Sequence, residues 1–350
     1  MNHEIGIVDV AKAAGVSIAT VSNVINGKGR VSGETRRKVE RIIAELGYTP
    51  NLPARHLKTN RSDLIGVVVP TMQPGRLQDN PFYWDLLAGV EEGARDGRYH
   101  VILTGIDEER ETLAFVKERR LDGLIVVGAG EGSPLVPRVA ALGVPAVFID
   151  SYLRSPELNQ VVLDDRSGAH AATAHLIGLG HRRIALLTGD MPPEQLPYFG
   201  VLYERLLGYR DALEEAGLPY EGDLLLRLPT SLEGGFEAAR HVAALPDVTA
   251  AFAFSDVMAM GLVKGLREQG KRVPHDYSVV GFDNLFVSEY TAPALTTVSQ
   301  DILAKGRVAV RMLLGQIDGV GDPARRIVLP AELIVRETTG PAGAANARNN

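Results

Sequence analysis

Apolar residues recur with a helical period in the first fifty residues. Val21, Val24 and Ile25 fall at i, i+3 and i+4 and form an apolar stripe, while Ala19, Ser22, Asn23 and Asn26 share the opposite face. Val39, Ile42, Ile43 and Leu46 repeat the pattern between a Ser32 cap and a closing Gly47. A shorter helix is predicted from Val8 to Ala14. It is separated from the helix at Ile18 to Asn26 by Gly15-Val16-Ser17, where glycine permits a positive φ and serine can accept a backbone N–H bond. The two helices should therefore meet at an angle, with one face of the second packed and the other free. That is the pattern of a helix-turn-helix unit, whose second helix enters the DNA major groove.

From Leu64 onward the period changes. The apolar runs LIGVVVP, VILTG, GLIVVG and AVFID alternate with predicted helices from Phe82 to Asp96 and from Glu109 to Arg119. The pattern restarts at RRIALLTGD, followed by a helix from Leu206 to Ala216 and the runs DLLLRL, AFAFSD and SVVGFDN. Continuous apolar strands between helices predict parallel α/β sheets, here in two similar lobes. Ligands of such sheets sit beyond the carboxyl ends of the strands, so two facing lobes predict a binding cleft.

Charge divides the chain in the same place. Residues 1–60 hold nine Lys/Arg against five Asp/Glu, 9 − 5 = +4; the remainder holds 28 against 38, 28 − 38 = −10. A basic end on an acidic body suits a protein that touches nucleic acid with one part only. With no cysteine, disulfides, thiol catalysis and Cys-ligated metal sites are excluded. No apolar run reaches the roughly eighteen residues of a membrane span, and the N-terminus lacks a secretory pattern, so a cytoplasmic protein is expected.

The run DVAKAAGVSIATVSNVINGKGRVSGETRRKV closely resembles the headpiece of the LacI (lactose repressor) family of bacterial transcriptional regulators. The resemblance implies that Ile18, Ala19 and Asn23 face base edges, while Ser17, Thr20, Ser22, Asn26 and Val31 lie near phosphates or sugars. Asn23 can pair with the donor and acceptor of an adenine. Ile18 has a competing reading, since it also continues the apolar stripe through Val21 and Ile25. The stretch Asn51 to Lys58 resembles the family's hinge helix, with Leu57 as a minor-groove wedge and Arg55 and Lys58 against phosphate. Pro53 departs from the usual residue type but suits a first helical turn.

The body resembles the family's regulatory domain, related to periplasmic sugar-binding proteins, through RLDGLIVVG, HRRIALLTG, SDVMAMGLVKGLREQG and PALTTVSQD. It implies an α/β architecture with an all-α headpiece: residues 1–50 as headpiece, 51–61 as hinge and linker, 62–340 as a two-lobed effector and dimerisation domain, and 341–350 as a tail. Lobe 1 would take about 62–162 and 297–322, and lobe 2 about 163–296 and 323–340. The matched pocket positions are Phe82, Tyr83, Asp150, Arg205, Ser255, Asp283 and Gln300, with Asp256 expected to cap its helix instead. Carboxylates, an arginine and an aromatic ring suit sugar hydroxyls and an apolar sugar face. Thr230 stands where several members carry a ring, which favours a carbohydrate over a purine. The implied partners are a pseudopalindromic double-stranded operator, a small-molecule effector and a second copy of the chain, with no cofactor and no metal.

Other signals are weak. Gly128 to Gly132 follows a strand, but its glycine spacing fits neither nucleotide-loop pattern. His170, His175 and His181 are spaced by five and six, which spreads them over different helix faces. The tail has no leucine heptad to build a tetramer. The alternatives are a purine- or nucleoside-responsive regulator of the same architecture, a sugar-binding transport protein and a Rossmann-like enzyme. The last two leave residues 1–60 without a purpose.

Overall fold

The computed structural model describes residues 5–25, 29–48, 61–70, 80–106, 113–192, 194–320 and 325–343. The chain forms two compact units, Met1–Ser62 and Asp63–Asn350.

In the smaller unit α1 (Ile7–Ala14), α2 (Ile18–Ile25) and α3 (Gly33–Leu46) enclose a core of Val10, Ala14, Val21, Val24, Val39 and Ile42. Gly15 turns the chain at φ 65°, and α1 and α2 meet at 105°. Ser17 and Ser32 start the next two helices as expected: their hydroxyls accept the N–H of Thr20 at 3.1 Å and of Thr35 at 3.2 Å. Such caps are each worth about 1 kcal/mol.

In the larger unit β1 (Leu64–Pro70), β2 (His100–Ile106), β3 (Gly123–Val127), β4 (Ala146–Ile149) and β5 (Asn159–Leu163) join a parallel sheet with β11 (Arg326–Leu329). Its order is β11-β5-β4-β3-β1-β2. The second sheet, in the order β12-β10-β9-β8-β6-β7, holds β6 (Ile184–Thr188), β7 (Leu225–Arg227), β8 (Ala250–Ala253), β9 (Ser278–Asp283), β10 (Thr296–Ser299) and β12 (Glu332–Ile334). Only β12 pairs antiparallel among these. Central strands such as β3 and β6 are buried along their whole length, which is why they read as unbroken apolar runs.

Flanking helices relevant to the cleft are α4 (Phe82–Asp96), α5 (Ala114–Glu118), α6 (Leu135–Ala140), α7 (Asp165–Gly178), α8 (Gly200–Glu215), α9 (Leu232–Ala244), α10 (Asp256–Glu268) and α11 (Ile302–Ile317). Helices pack backbone to backbone through glycine: a Cβ at Gly208 of α8 would lie 2.1 Å from the Arg166 carbonyl oxygen of α7.

The chain passes between lobes after β5, after β10 and after β11. The expected boundaries at 297 and 322 therefore shift, because β10 pairs with β9 and stays in lobe 2, while β11 pairs with β5 and returns to lobe 1. Short strands carry no local mark of the sheet they will join. Among the described residues no single helix is long and apolar enough to cross a membrane.

Candidate functional site

On α2 the apolar stripe and the opposite face separate as the period predicts. Val21 and Val24 are buried, whereas Ala19 and Asn23 are exposed and Ser22 and Thr20 are half-buried. Ile18 is 49% exposed, so it lies outside the core and beside Ala19. An aliphatic side chain left in water at a helix start is available to a thymine methyl. Ser17 is exposed, and its hydroxyl is bonded to Thr20; Val31 is half-buried against the headpiece core. Gly29, at φ 77°, leaves room for Asn23: a Cβ there would stand 3.1 Å from Asn23 Nδ2. Asn26, Arg55, Leu57 and Lys58 lie outside the described residues.

The larger unit holds a cavity of about 180 Å³ between the two sheets. Phe82, Tyr83, Asp150, Arg205, Ser255, Asp283 and Gln300 all line it, with Thr230 and the rings of Phe199 and Phe254. The polar members are delivered by strand ends. Asp150 follows β4, Asp283 ends β9 and Gln300 follows β10. Both aspartates have positive φ, 52° at Asp150 and 120° at Asp283. Such backbone costs about 1–3 kcal/mol and persists only where neighbours hold it.

Those neighbours form one polar network. The Arg205 Nε–H donates to Asp165 Oδ1 at 2.7 Å, its Nη1 donates to the Phe254 carbonyl, and its Nη2 lies 3.9 Å from Asp283. The guanidinium carbon sits 3.5 Å above the Phe282 ring centroid. Burial works against the arginine's charge, but Asp165 and Asp283 outweigh it and raise its pKa. Gln300 Nε2 donates to Asp283 Oδ1 at 2.7 Å, and its Oε1 accepts from the Lys305 ammonium. Lys305 also donates to both Asp150 oxygens at 2.8 Å. The Tyr152 hydroxyl contacts Leu163 O at 2.6 Å and the other Asp165 oxygen. Burial pushes the Asp283 carboxyl up to about 7, against the pull of Arg205.

Three members of this network, Lys305, Asp165 and Tyr152, are missed by reasoning from sequence. Lys305 has a signal: it shares the buried face of α11 with Ile302, Gly306 and Ala309, where a charge needs a partner. Asp165 and Tyr152 carry no local mark, because their partners are elsewhere in the chain.

Other expectations change in detail. Arg205 is expected before its helix, yet α8 starts at Gly200 with no side-chain cap to signal it, so Arg205 lies on the helix's buried face. Asp256 is not the cap of α10. Ser255 is, accepting from Met258 N at 3.3 Å, while Asp256 accepts from Leu285 N, Ser288 Oγ and Thr297 Oγ1, and burial raises it to about 6. Residues Gly128 to Gly130 line the cavity, and the next residue, Glu131, donates its N–H to the Tyr198 carbonyl at 2.9 Å. The histidines part company: His170 meets Glu215, His175 meets Thr339, and His181 meets Thr249, Ser278 and Gly340. Among the described residues no group of three or more His, Cys, Asp or Glu could hold a metal ion.

Residues 6–51 match the bacterial regulatory proteins of the lacI family, and residues 173–339 match a periplasmic binding protein-like domain. The HTH-type transcriptional regulator DegA of Bacillus subtilis (strain 168) is 37% identical over 342 residues, 96% of this chain and 98% of its own. A solved complex of the transcriptional regulator CelR with cellobiose shares 34% identity at a TM-score of 0.72, covering 95% of this chain and 99% of that one. The Lac repressor dimer bound to operator and an anti-inducer superposes at a TM-score of 0.81 with 29% identity, covering 97% and 100%. A basic helix-turn-helix unit, a two-sheet body and likeness along nearly the whole chain lead to one assignment: the protein belongs to the LacI family of DNA-binding transcription regulators, and is not an enzyme.

Proposed function

We propose that the protein is a homodimeric repressor of a catabolic operon, binding a pseudopalindromic operator through α2 and releasing or engaging it in response to a carbohydrate. The observation that carries the effector reading is the cavity itself, where Asp150, Asp283 and Arg205 converge from strand ends beside the rings of Phe82 and Phe199. Carboxylates and a guanidinium suit paired hydroxyls, and rings suit the apolar face of a sugar. The cellobiose held by the CelR relative is in keeping with this. Thr230 leaves one wall without a ring, which disfavours a purine. Exposed Trp84, Phe286 and Tyr290 offer apolar surface for pairing of two chains.

A thermal-shift series with cellobiose, ribose, adenine and hypoxanthine tests the effector class, because a ligand of the folded state raises its apparent stability. Stabilisation by a nucleobase and by no sugar would replace the carbohydrate.

Selection of bound DNA should return two half-sites related by a dyad. Asn23→Ala should lose about 1–3 kcal/mol, roughly five- to a hundredfold, and relax discrimination at one base pair per half-site. Equal weakening on every sequence would instead make Asn23 a backbone contact. Leu57→Ala should reduce operator affinity and DNA bending together, since an inserted apolar side chain unstacks a base step. Unchanged bending in a circular-permutation gel would remove the wedge.

A further inference from the structure

Lys305 is the largest charged side chain on the buried face of α11, with 1% of its surface exposed. Its ammonium is committed to both oxygens of Asp150 at 2.8 Å and to Gln300 Oε1, and it lies 5.5 Å from the centre of the Phe82 ring. Arg205, the cation that lines the cavity among the described residues, binds Asp165 through Nε and the Phe254 carbonyl through Nη1. Among the described residues the lining thus presents three carboxylates, Asp150, Asp190 and Asp283, against one already engaged guanidinium.

We infer that Lys305 is a positioning residue that fixes the Asp150 carboxylate as an acceptor, so that the cavity takes an uncharged, hydroxyl-rich effector and refuses phosphorylated or carboxylated ones. This rests on the carbohydrate reading above and narrows it. Among the described residues a phosphate or a uronic acid entering the cavity would meet three carboxyl groups against one guanidinium whose charge Asp165 already balances, whereas each sugar hydroxyl brings a proton to donate. Lys305 reaches this result without touching the ligand. It offsets the cost of holding Asp150 out of water and pins it in its positive-φ backbone.

The groups facing Asp150 are Lys305 from α11, Arg205 from α8, Asp165 from α7 and Tyr152 from its own loop. Burial pushes the Asp150 carboxyl up, Lys305 and Arg205 pull it down, and Asp165 pushes it up further. Without Lys305 the raised acid is stable when protonated and loses that stability as pH rises through its folded-state pKa.

Two experiments test the proposal. In thermal-shift and calorimetric titrations of the wild-type protein, ribose and cellobiose are compared with ribose 5-phosphate, glucose 6-phosphate and glucuronate. A neutral sugar should bind at least tenfold more tightly than any of the anions. An anion that binds as well as the neutral sugars overturns the proposal, while silence from every probe counts against the carbohydrate reading. Lys305 is then judged without ligand, from the melting temperatures of Lys305→Met and of Lys305→Met/Asp150→Asn between pH 5 and pH 8. The single variant's deficit should grow with pH and the double variant's should not. A single variant that folds only at the acid end, or only once Asp150 is also replaced, supports the same role for Lys305. Equal, pH-independent deficits overturn that role, and if neither variant folds, the neutral-against-anion comparison decides.

Discussion

Arg205→Ala should lose about 3–5 kcal/mol of stability in the larger unit, the cost of stranding one member of a buried ion pair. Arg205 and Asp165 are almost wholly buried and joined at 2.7 Å, and the same guanidinium bonds the Phe254 carbonyl and covers the Phe282 ring. Removing it leaves Asp165 with the Tyr152 hydroxyl as its remaining side-chain partner in the network. Urea unfolding followed by the single tryptophan, Trp84, reports this unit and not the headpiece, which has none. Arg205→Met/Asp165→Asn should recover part of the loss, because no charge is left unpaired. A loss below about 1 kcal/mol in the single variant would mean that water reaches Asp165 and that the network is not closed. The sequence leads one to expect Arg205 to act on the effector alone; its structural bonds mean that a loss of effector response in this variant has to be read together with its stability.

Asp283→Asn should become more stable than wild type above neutral pH while binding the effector poorly. Burial raises the Asp283 carboxyl to about 7 in the folded chain. A raised acid contributes stability that is complete below its ordinary pKa near 4 and is lost as pH rises through about 7. Asparagine does not titrate, and its amide oxygen can still accept from Gln300 Nε2. The difference between the two proteins should therefore change by up to about 1.4 kcal/mol per pH unit in that window and level off above it. Asp256, raised to about 6, has the same sign and repels Asp283, so the comparison cancels it only in part, and relief of that repulsion adds to the variant's gain. If Asp283 accepts hydroxyls of the effector, the substitution should lower affinity by about 1.5–3 kcal/mol, roughly ten- to a hundredfold. Melting curves from pH 4 to pH 9 with calorimetry at pH 8 check both halves; a difference that is flat across the range would place the titration of Asp283 elsewhere.

Much of this protein is legible in its residues because the physics behind those parts is local. The exposed and buried faces of α2 follow from a 3.6-residue period, the angle between α1 and α2 from Gly15 at φ 65°, and the helix starts from the hydroxyls of Ser17 and Ser32. Buried parallel strands announce themselves as apolar runs, and the polar residues at their carboxyl ends do come to one cavity. Local pattern cannot choose between two partners for the same residue. Ile18 fits the core stripe as well as the free face, and only the packing of α1 and α3 around Val21 and Val24 leaves it in solvent. Ser255 and Asp256 are both plausible caps until the fold sets Leu285, Ser288 and Thr297 around the aspartate. The sheet that β10 and β11 each join, and the partners of Lys305, Asp165 and Tyr152, depend on segments far apart in the chain: Lys305 is 155 residues from Asp150, and Arg326 is 326 − 160 = 166 from Gln160. A buried charge is decided by whatever the tertiary structure places beside it, because the cost of leaving it alone exceeds any preference written in its own neighbourhood.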